Sequence, residues 1–236
     1  MMEGCLAMPH DQVRRFEIPV LDRFVSHCHI RHFSAKTPVV NAGDSSNSLF
    51  LVINGSVAVI VEDEDGNEII VAYLNRGEFF GEMGLFSDDP TRTAWVRTRS
   101  ECQIAEIGYA RFRELAHSDP DLLFALSGQL AARLKRTTRK VSDLAFLDVT
   151  GRIARTLLDL CQQPDSMTHP DGMQIRISRQ EIGRIVGCSR EMAGRVLKAL
   201  EEQGLVGASG KTIVVYGARP DSDNTIPLSR QLAHHR

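Results

Sequence analysis

The chain contains no apolar run approaching the roughly 18 residues a membrane-spanning helix needs, so nothing in it is expected to cross a bilayer. Its N-terminus lacks a charged-then-apolar leader, and the expected location is the cytoplasm. The five cysteines (Cys5, Cys28, Cys102, Cys161, Cys188) are odd in number and scattered, and no two have C-x-x-C spacing. That argues against a disulfide framework, a zinc knuckle or an iron–sulfur cluster. P-loop, HExxH, paired-carboxylate and Ser/His/Asp patterns are also missing, so neither an enzyme nor a metal or prosthetic group is expected. An excess of one charge sign is lacking too. The net charge of −2 is a weak argument against a nucleic-acid binder.

The distribution of charge is more informative than its total. Residues 1–149 hold 16 Lys/Arg against 21 Asp/Glu, residues 150–219 hold 10 against 7, and the last 17 residues cancel at two each. A modestly basic module joined to an acidic one suits a DNA reader kept off random DNA by its companion. Ordinary charge scatter between two domains would give the same numbers.

Residues 178–197 carry the strongest local signal. They read as two short helices joined by a tight turn, the second opening at Ser189 and presenting Arg190, Glu191 and Arg195 on one face. That is the form of a helix-turn-helix. A strand over 174–177 precedes it, and Ser209-Gly210-Lys211 turns a hairpin into Thr212–Tyr216 behind it, a winged arrangement. Upstream, a polar loop is expected over 163–173 and a helix over 151–162, capped by Asp148 or Thr150.

The first half reads differently. A short helix is expected from about residue 20 to 33. Short β-rich runs then alternate with turn signals from 38 to 107 (39–40, 49–53, 56–61, 68–73, 94–98, 102–107), predicting a small antiparallel barrel or jelly roll. Asp65-Gly66 between two of these runs marks a type I′ hairpin. Pro120 opens a long helix to about Leu147. In it Leu123, Leu130, Thr137 and Leu144 fall seven apart, with Leu126, Leu134 and Val141 beside them. Such a stripe fits either the barrel's own surface or a partner helix, and its length favours a parallel homodimer. Thr137 is an unusual residue for a buried seam, because its hydroxyl wants a partner. The fold class expected is α+β: a β jelly roll, a long helix and a winged helix-turn-helix, with a polar tail over 220–236 expected to be disordered.

A second motif lies at 81–93. Gly81-Glu82-Met83-Gly84 suits a tight turn with inward N–H groups, and Arg92 with the Thr93 hydroxyl completes a set of donors for a phosphate. Glu82, acceptor-only when ionised, suits a sugar hydroxyl. An ordinary two-glycine turn and a surface arginine explain the same residues.

Four stretches together carry a resemblance: Gly81-Glu-Met-Gly-Leu-Phe86, Arg92-Thr-Ala-Trp-Val96, Leu144-Ala-Phe-Leu-Asp-Val-Thr-Gly-Arg152, and Gln180-Glu-Ile-Gly-Arg-Ile-Val-Gly-Cys-Ser-Arg-Glu191. From about Arg23 to Arg219 the chain resembles the cyclic AMP receptor family of cyclic-nucleotide-responsive transcription regulators. The resemblance implies a cyclic-nucleotide-binding barrel over 1–119, a dimerisation helix over 120–147 and a DNA-binding domain over 148–219. It implies cyclic AMP as allosteric ligand, with Gly81 and Glu82 at ribose and phosphate and Arg92 and Thr93 at the cyclic phosphate. Thr137 and Thr138 would meet the adenine amino group, the second from the other subunit. Thr93 replaces the family's usual Ser and keeps the hydroxyl. A relative responsive to cyclic di-GMP carries an acidic residue there, which favours cyclic AMP here; cyclic di-GMP, cyclic GMP and ligand-independent action are the alternatives.

The resemblance also implies that Arg190, Glu191 and Arg195 read a TGTGA-like half-site of double-stranded DNA. Ser189, Arg179, Gln180, Thr150 and Lys211 would contact phosphates or position the helix, Met192 replacing the family's Thr. A loop centred on Thr168, with His169 and Gly172, would meet the α subunit of RNA polymerase, and His29, Arg31 and Arg111 a second polymerase surface. Asp148 would be the hinge. Glu62 stands where a Lys occurs, so a third polymerase region is not carried over.

Overall fold

The computed structural model describes residues 20–87 and 91–220, and the expected disorder of the tail falls outside them save for Pro220. The chain divides into two compact units. The first holds residues up to 61 and 72–135, and the second holds 62–71 and 136 onward.

The first unit holds most of a two-sheet sandwich, with residues 62–71 and 136–146 of the elements named next counted in the second. After helix α1 (residues 20–25) come β1 (His29–Phe33), β2 (Pro38–Val40), β3 (Ser48–Asn54), β4 (Ser56–Glu62), β5 (Glu68–Asn75), β6 (Phe79–Phe80), the short α2 (Met83–Phe86), β7 (Trp95–Thr98), β8 (Cys102–Gly108), α3 (Tyr109–Ser118) and the long α4 (Asp121–Phe146). One sheet has the order β1-β8-β3-β6 and the other β2-β7-β4-β5. Strand β3 shows why both cores form. Its alternate residues Phe50 and Val52 join Val40, Val57, Leu74 and Val96 between the sheets. Leu49 and Leu51 face the other way, into a cluster with Phe24, Phe112, Leu122 and Leu126 from α1, α3 and α4. Phe24 meets Phe79 edge-on at 5.1 Å, and Phe50 stacks on Phe80 at 4.9 Å. Each fully buried ring contributes about 1.5–3 kcal/mol.

Three sequence expectations change here. The helix expected over 20–33 stops by residue 26, and His29–Phe33 is an edge strand paired with β8, Phe33 opposite Cys102 and His29 opposite Glu106. The 65–66 turn is not type I′, which needs positive φ at both central residues; only Gly66 has it, at +81°. Instead Asp63 Oδ1 accepts from Asp65 N at 3.0 Å and Asn67 N at 2.8 Å, and side-chain closure of this kind stabilises a longer loop. The α4 stripe also splits. Leu126 is 1% exposed in its own unit's core, whereas Leu134, Val141 and Leu144 are each about 60% exposed.

In the second unit, α5 (Val149–Cys161) is capped by Asp148, whose Oδ1 accepts from Gly151 N at 2.7 Å. The polar loop expected over 163–173 contains a strand, β9 (Met167–His169), paired with β10 (Gly172–Arg176). Next come α6 (Arg179–Val186), α7 (Arg190–Glu202), β11 (Val206–Ser209) and β12 (Thr212–Tyr216), in a sheet of order β11-β12-β10-β9. Ile153 and Leu157 of α5, Ile182 and Val186 of α6, Ala193 and Leu197 of α7, and Ile213 and Val215 of β12 are all buried.

Candidate ligand and DNA sites

The turn after β6 is built around Arg92. Gly81 has φ +78°, and a Cβ there would stand 2.7 Å from Arg92 Nη1, 3.0 Å from Phe50 and 3.1 Å from Ser48 O, so conformation and close approach both require glycine. Arg92 Nη1 donates to Gly81 O at 2.9 Å and to Tyr109 Oη at 3.2 Å, and Nη2 donates to Ser48 O at 2.7 Å. Its backbone is pinned as well, with Arg92 N bonded to Asp44 O and Gly43 N bonded to Arg92 O, both at 2.8 Å. Tyr109 Oη also bonds Gly81 O and Ser46 Oγ.

Arg92 is only 8% exposed, yet among the described residues its acceptors are all uncharged. A buried guanidinium normally has a carboxylate partner, because neutral carbonyls recover only part of its hydration. What this set lacks is a charged acceptor. Thr93, next in the chain, is exposed.

Glu82 is 5% exposed. Its side chain makes no cap bond to α2; Oε1 instead accepts from Arg133 Nη1 at 2.8 Å, and Arg133 Nη2 donates to Phe79 O at 2.6 Å. Gln129, one turn earlier on α4, accepts from Phe79 N at 2.9 Å and donates to Gly77 O at 2.7 Å. The structure thus brings together Gly81, Glu82 and Arg92, and it adds Arg133 and Tyr109, which sequence reasoning missed. The available signal for Arg133 was its place seven residues after Leu126, a charge on the buried stripe of α4. Thr137 and Thr138 lie on α4 in the second unit and are exposed.

The helix-turn-helix is set by caps. Ser178 Oγ accepts from Glu181 N at 3.2 Å, and Ser189 Oγ from Met192 N at 3.1 Å. Gly187 ends α6 at φ +74°, with its N–H and that of Cys188 both on Gly183 O, so the chain reverses within one turn. Gly183 makes room for that reversal: a Cβ there would stand 2.5 Å from Cys188 O. Helix α7 buries Ala193, Val196, Leu197 and Leu200 and leaves Arg190, Glu191 and Arg195 exposed. Met192 sulfur lies 3.8 Å from Arg195 Nη2. Arg179 and Gln180 are exposed in the first turn of α6, Lys211 is exposed at the β11–β12 turn, and Thr150 is half-buried in the first turn of α5.

The remaining predicted positions are on β1, α3, β9 and β10. Thr168 is exposed on β9, and His169 pairs with Gly172 across the hairpin. His29 and Arg31 are exposed on β1, where Arg31 pairs with Glu106 at 3.0 Å, and Arg111 on α3 pairs with Glu114 at 2.8 Å. Burial pushes the Cys28 and Cys161 thiols up to about 12, which removes them as nucleophiles near neutrality.

Comparison with known proteins extends this reading. Residues 30–119 match the cyclic nucleotide-binding domain, and residues 175–206 match the bacterial regulatory proteins of the crp family. The cAMP-activated global transcriptional regulator Vfr of Pseudomonas aeruginosa is 63% identical over 202 residues, spanning 84% of this chain and 94% of that protein. This chain belongs to the Crp family. The cAMP-activated regulator CRP of Pasteurella multocida is 58% identical to this Crp-family chain over 201 residues, spanning 85% and 96% of the two. Among solved structures, the c-di-GMP responsive global regulator CLP of Xanthomonas campestris aligns at TM-score 0.79 and 50% identity, covering 84% of this chain and 99% of that one. These relatives are regulators of transcription, and no described helix of this Crp-family chain is long and apolar enough to cross a membrane.

Proposed function

We propose that this Crp-family chain is a cyclic AMP-dependent transcription regulator that works in the cytoplasm as a homodimer. It binds a palindromic TGTGA-like site and recruits RNA polymerase. The observation that carries the ligand half is the buried Arg92 on uncharged acceptors, a cation prepared for a singly charged cyclic phosphate. Thr93 adds a hydroxyl to that phosphate, Gly81 allows close approach, and Glu82, oriented by Arg133, accepts from a ribose hydroxyl. Thr137 binds the adenine amino group, and Thr138 does so from the second subunit, so one ligand links two chains.

The exposed Leu134, Val141 and Leu144 support pairing through α4, because an apolar stripe of this length on one helix calls for a partner. Asp148 is the hinge: between the end of α4 at Phe146 and the start of α5 at Val149 lie only Leu147 and Asp148. Moving the population from 1:99 to 99:1 needs about 5.5 kcal/mol of differential binding. Two ligands, each with several charge-assisted bonds of about 1.5–3 kcal/mol, reach that scale.

On DNA, Arg190 and Arg195 fork onto guanine O6 and N7, and Glu191 accepts from a cytosine amino group. Ser189, Arg179, Gln180, Thr150 and Lys211 contact phosphates or position the helix. The hairpin at Thr168, His169 and Gly172 meets the polymerase α subunit, and His29, Arg31 and Arg111 form a second polymerase surface.

A second effector reading has one specific support, the likeness to the c-di-GMP responsive CLP. Against it stands Thr93, which is uncharged and suits a cyclic mononucleotide phosphate. Calorimetric titration with cyclic AMP, cyclic GMP and cyclic di-GMP decides between them. Cyclic AMP binding most tightly supports the proposal, and preference for cyclic di-GMP overturns it.

A further inference from the structure

The β4–β5 connection is the most acidic stretch of the chain. Glu62, Asp63, Glu64, Asp65 and Glu68 fall within seven residues, and no Lys or Arg occurs from 62 to 71. This strip belongs to the unit that carries the helix-turn-helix. Its contacts in that unit include Lys140 Nζ, which donates to Val71 O at 2.7 Å, and Arg184 Nη1, which pairs with Glu68 Oε2 at 2.9 Å. Glu68 is 19% exposed and Arg184 37% exposed.

Arg184 sits one turn after Gln180 on α6, so the two lie above one another on one helix face. Gln180 is exposed and is one of the residues that contact phosphates or position the helix in the proposed function. A guanidinium on that face is a natural further phosphate ligand, but Glu68 occupies it. A partly exposed ion pair of this kind adds little to stability, so its effect falls on whatever else competes for the arginine.

We propose that the acidic hairpin is an intramolecular competitor of DNA. Through Glu68 it holds Arg184, a further phosphate-contacting residue, and DNA must displace the carboxylate to engage it. The proposal rests on the DNA-binding reading above. Its consequence is weaker binding to any duplex, which leaves base contacts to decide where the protein stays.

The test is fluorescence anisotropy with the full chain and saturating cyclic AMP, on a TGTGA palindrome and a scrambled duplex, across a salt series. Glu68→Gln binds both duplexes about three- to tenfold more tightly, the effect of removing one competing ion pair per half-site. Arg184→Gln weakens both and flattens the slope of log affinity against log salt by about one unit per half-site. In the Arg184→Gln background, Glu68→Gln changes nothing. Unchanged affinity of Glu68→Gln, in a wild type that binds the palindrome, overturns the competitor and leaves the DNA-binding reading intact. A Glu68→Gln effect that persists without Arg184 also overturns it, because the acidic tip then acts only by distant repulsion. A wild type that binds neither duplex overturns the DNA-binding reading itself.

Discussion

Glu82 and Arg133 form an ion pair at 2.8 Å, with the carboxylate side chain 7% exposed and the guanidinium 21% exposed. It ties the turn that carries Gly81 to helix α4. The pair stands beside the bonds of Arg133 and Gln129 to Phe79 and Gly77, so the turn and the helix are joined at several points.

Removing one partner leaves the other buried and unpaired. Glu82→Ala lowers unfolding stability by about 2–3 kcal/mol, less than for a fully buried pair because Arg133 retains some water. Glu82→Gln, which keeps an acceptor for Arg133, costs less. Chemical denaturation of both variants beside the wild type checks the order. Equal loss in both variants contradicts this use of the carboxylate.

Gly183 and Gly187 separate two ways a glycine matters in the recognition motif. A Cβ at Gly187 meets nothing within 4 Å, so Gly187→Ala carries only the left-handed backbone cost, about 1–2 kcal/mol. Gly183→Ala drives a Cβ into the Cys188 carbonyl, so the turn must shift and α7 with it. It lowers DNA affinity more than Gly187→Ala does at matched stability, read by melting temperature and DNA titration together.

The recognition helix and the wing differ in kind. Replacing Arg190 or Arg195 by Ala costs about 1–3 kcal/mol of discrimination at one base pair. Replacing Lys211 by Ala weakens all sequences alike and reduces the salt slope by about one unit. Binding to single-base variants of the palindrome at several salt concentrations distinguishes the two patterns.

The apolar surface of α4 predicts the assembly. Leu134→Glu or Leu144→Glu places a charge on the seam and shifts sedimentation from dimer toward monomer, with the melting temperature of each unit little changed because both leucines are about 60% exposed in the single chain. A monomeric wild type contradicts the pairing.

Much of this was legible in sequence where chemistry is local. Ser178, Gly187 and Ser189 mark their caps by residue type, and strands β3, β4 and β8 declare themselves by β-branched runs between turns. What escaped depends on partners distant in sequence. His29–His32 are all exposed on an edge strand, so no buried alternation marks β1, and only its pairing to β8 makes it a strand. The α4 heptads show a stripe without saying what covers it, and Leu126 turns out to face its own sandwich. Arg133 is one charge among several on α4 in sequence, and its part in the site lies in the 2.8 Å pair with Glu82.

The central claim is that the DNA reader waits for a ligand held by Arg92. The most direct measurement is titration of a TGTGA palindrome with and without cyclic AMP, on the wild type and on Arg92→Leu. The account predicts that cyclic AMP tightens wild-type binding by at least about a hundredfold, a coupling of about 3 kcal/mol, and has no effect on the Arg92→Leu variant. Wild-type DNA affinity that is the same with and without cyclic AMP would contradict it.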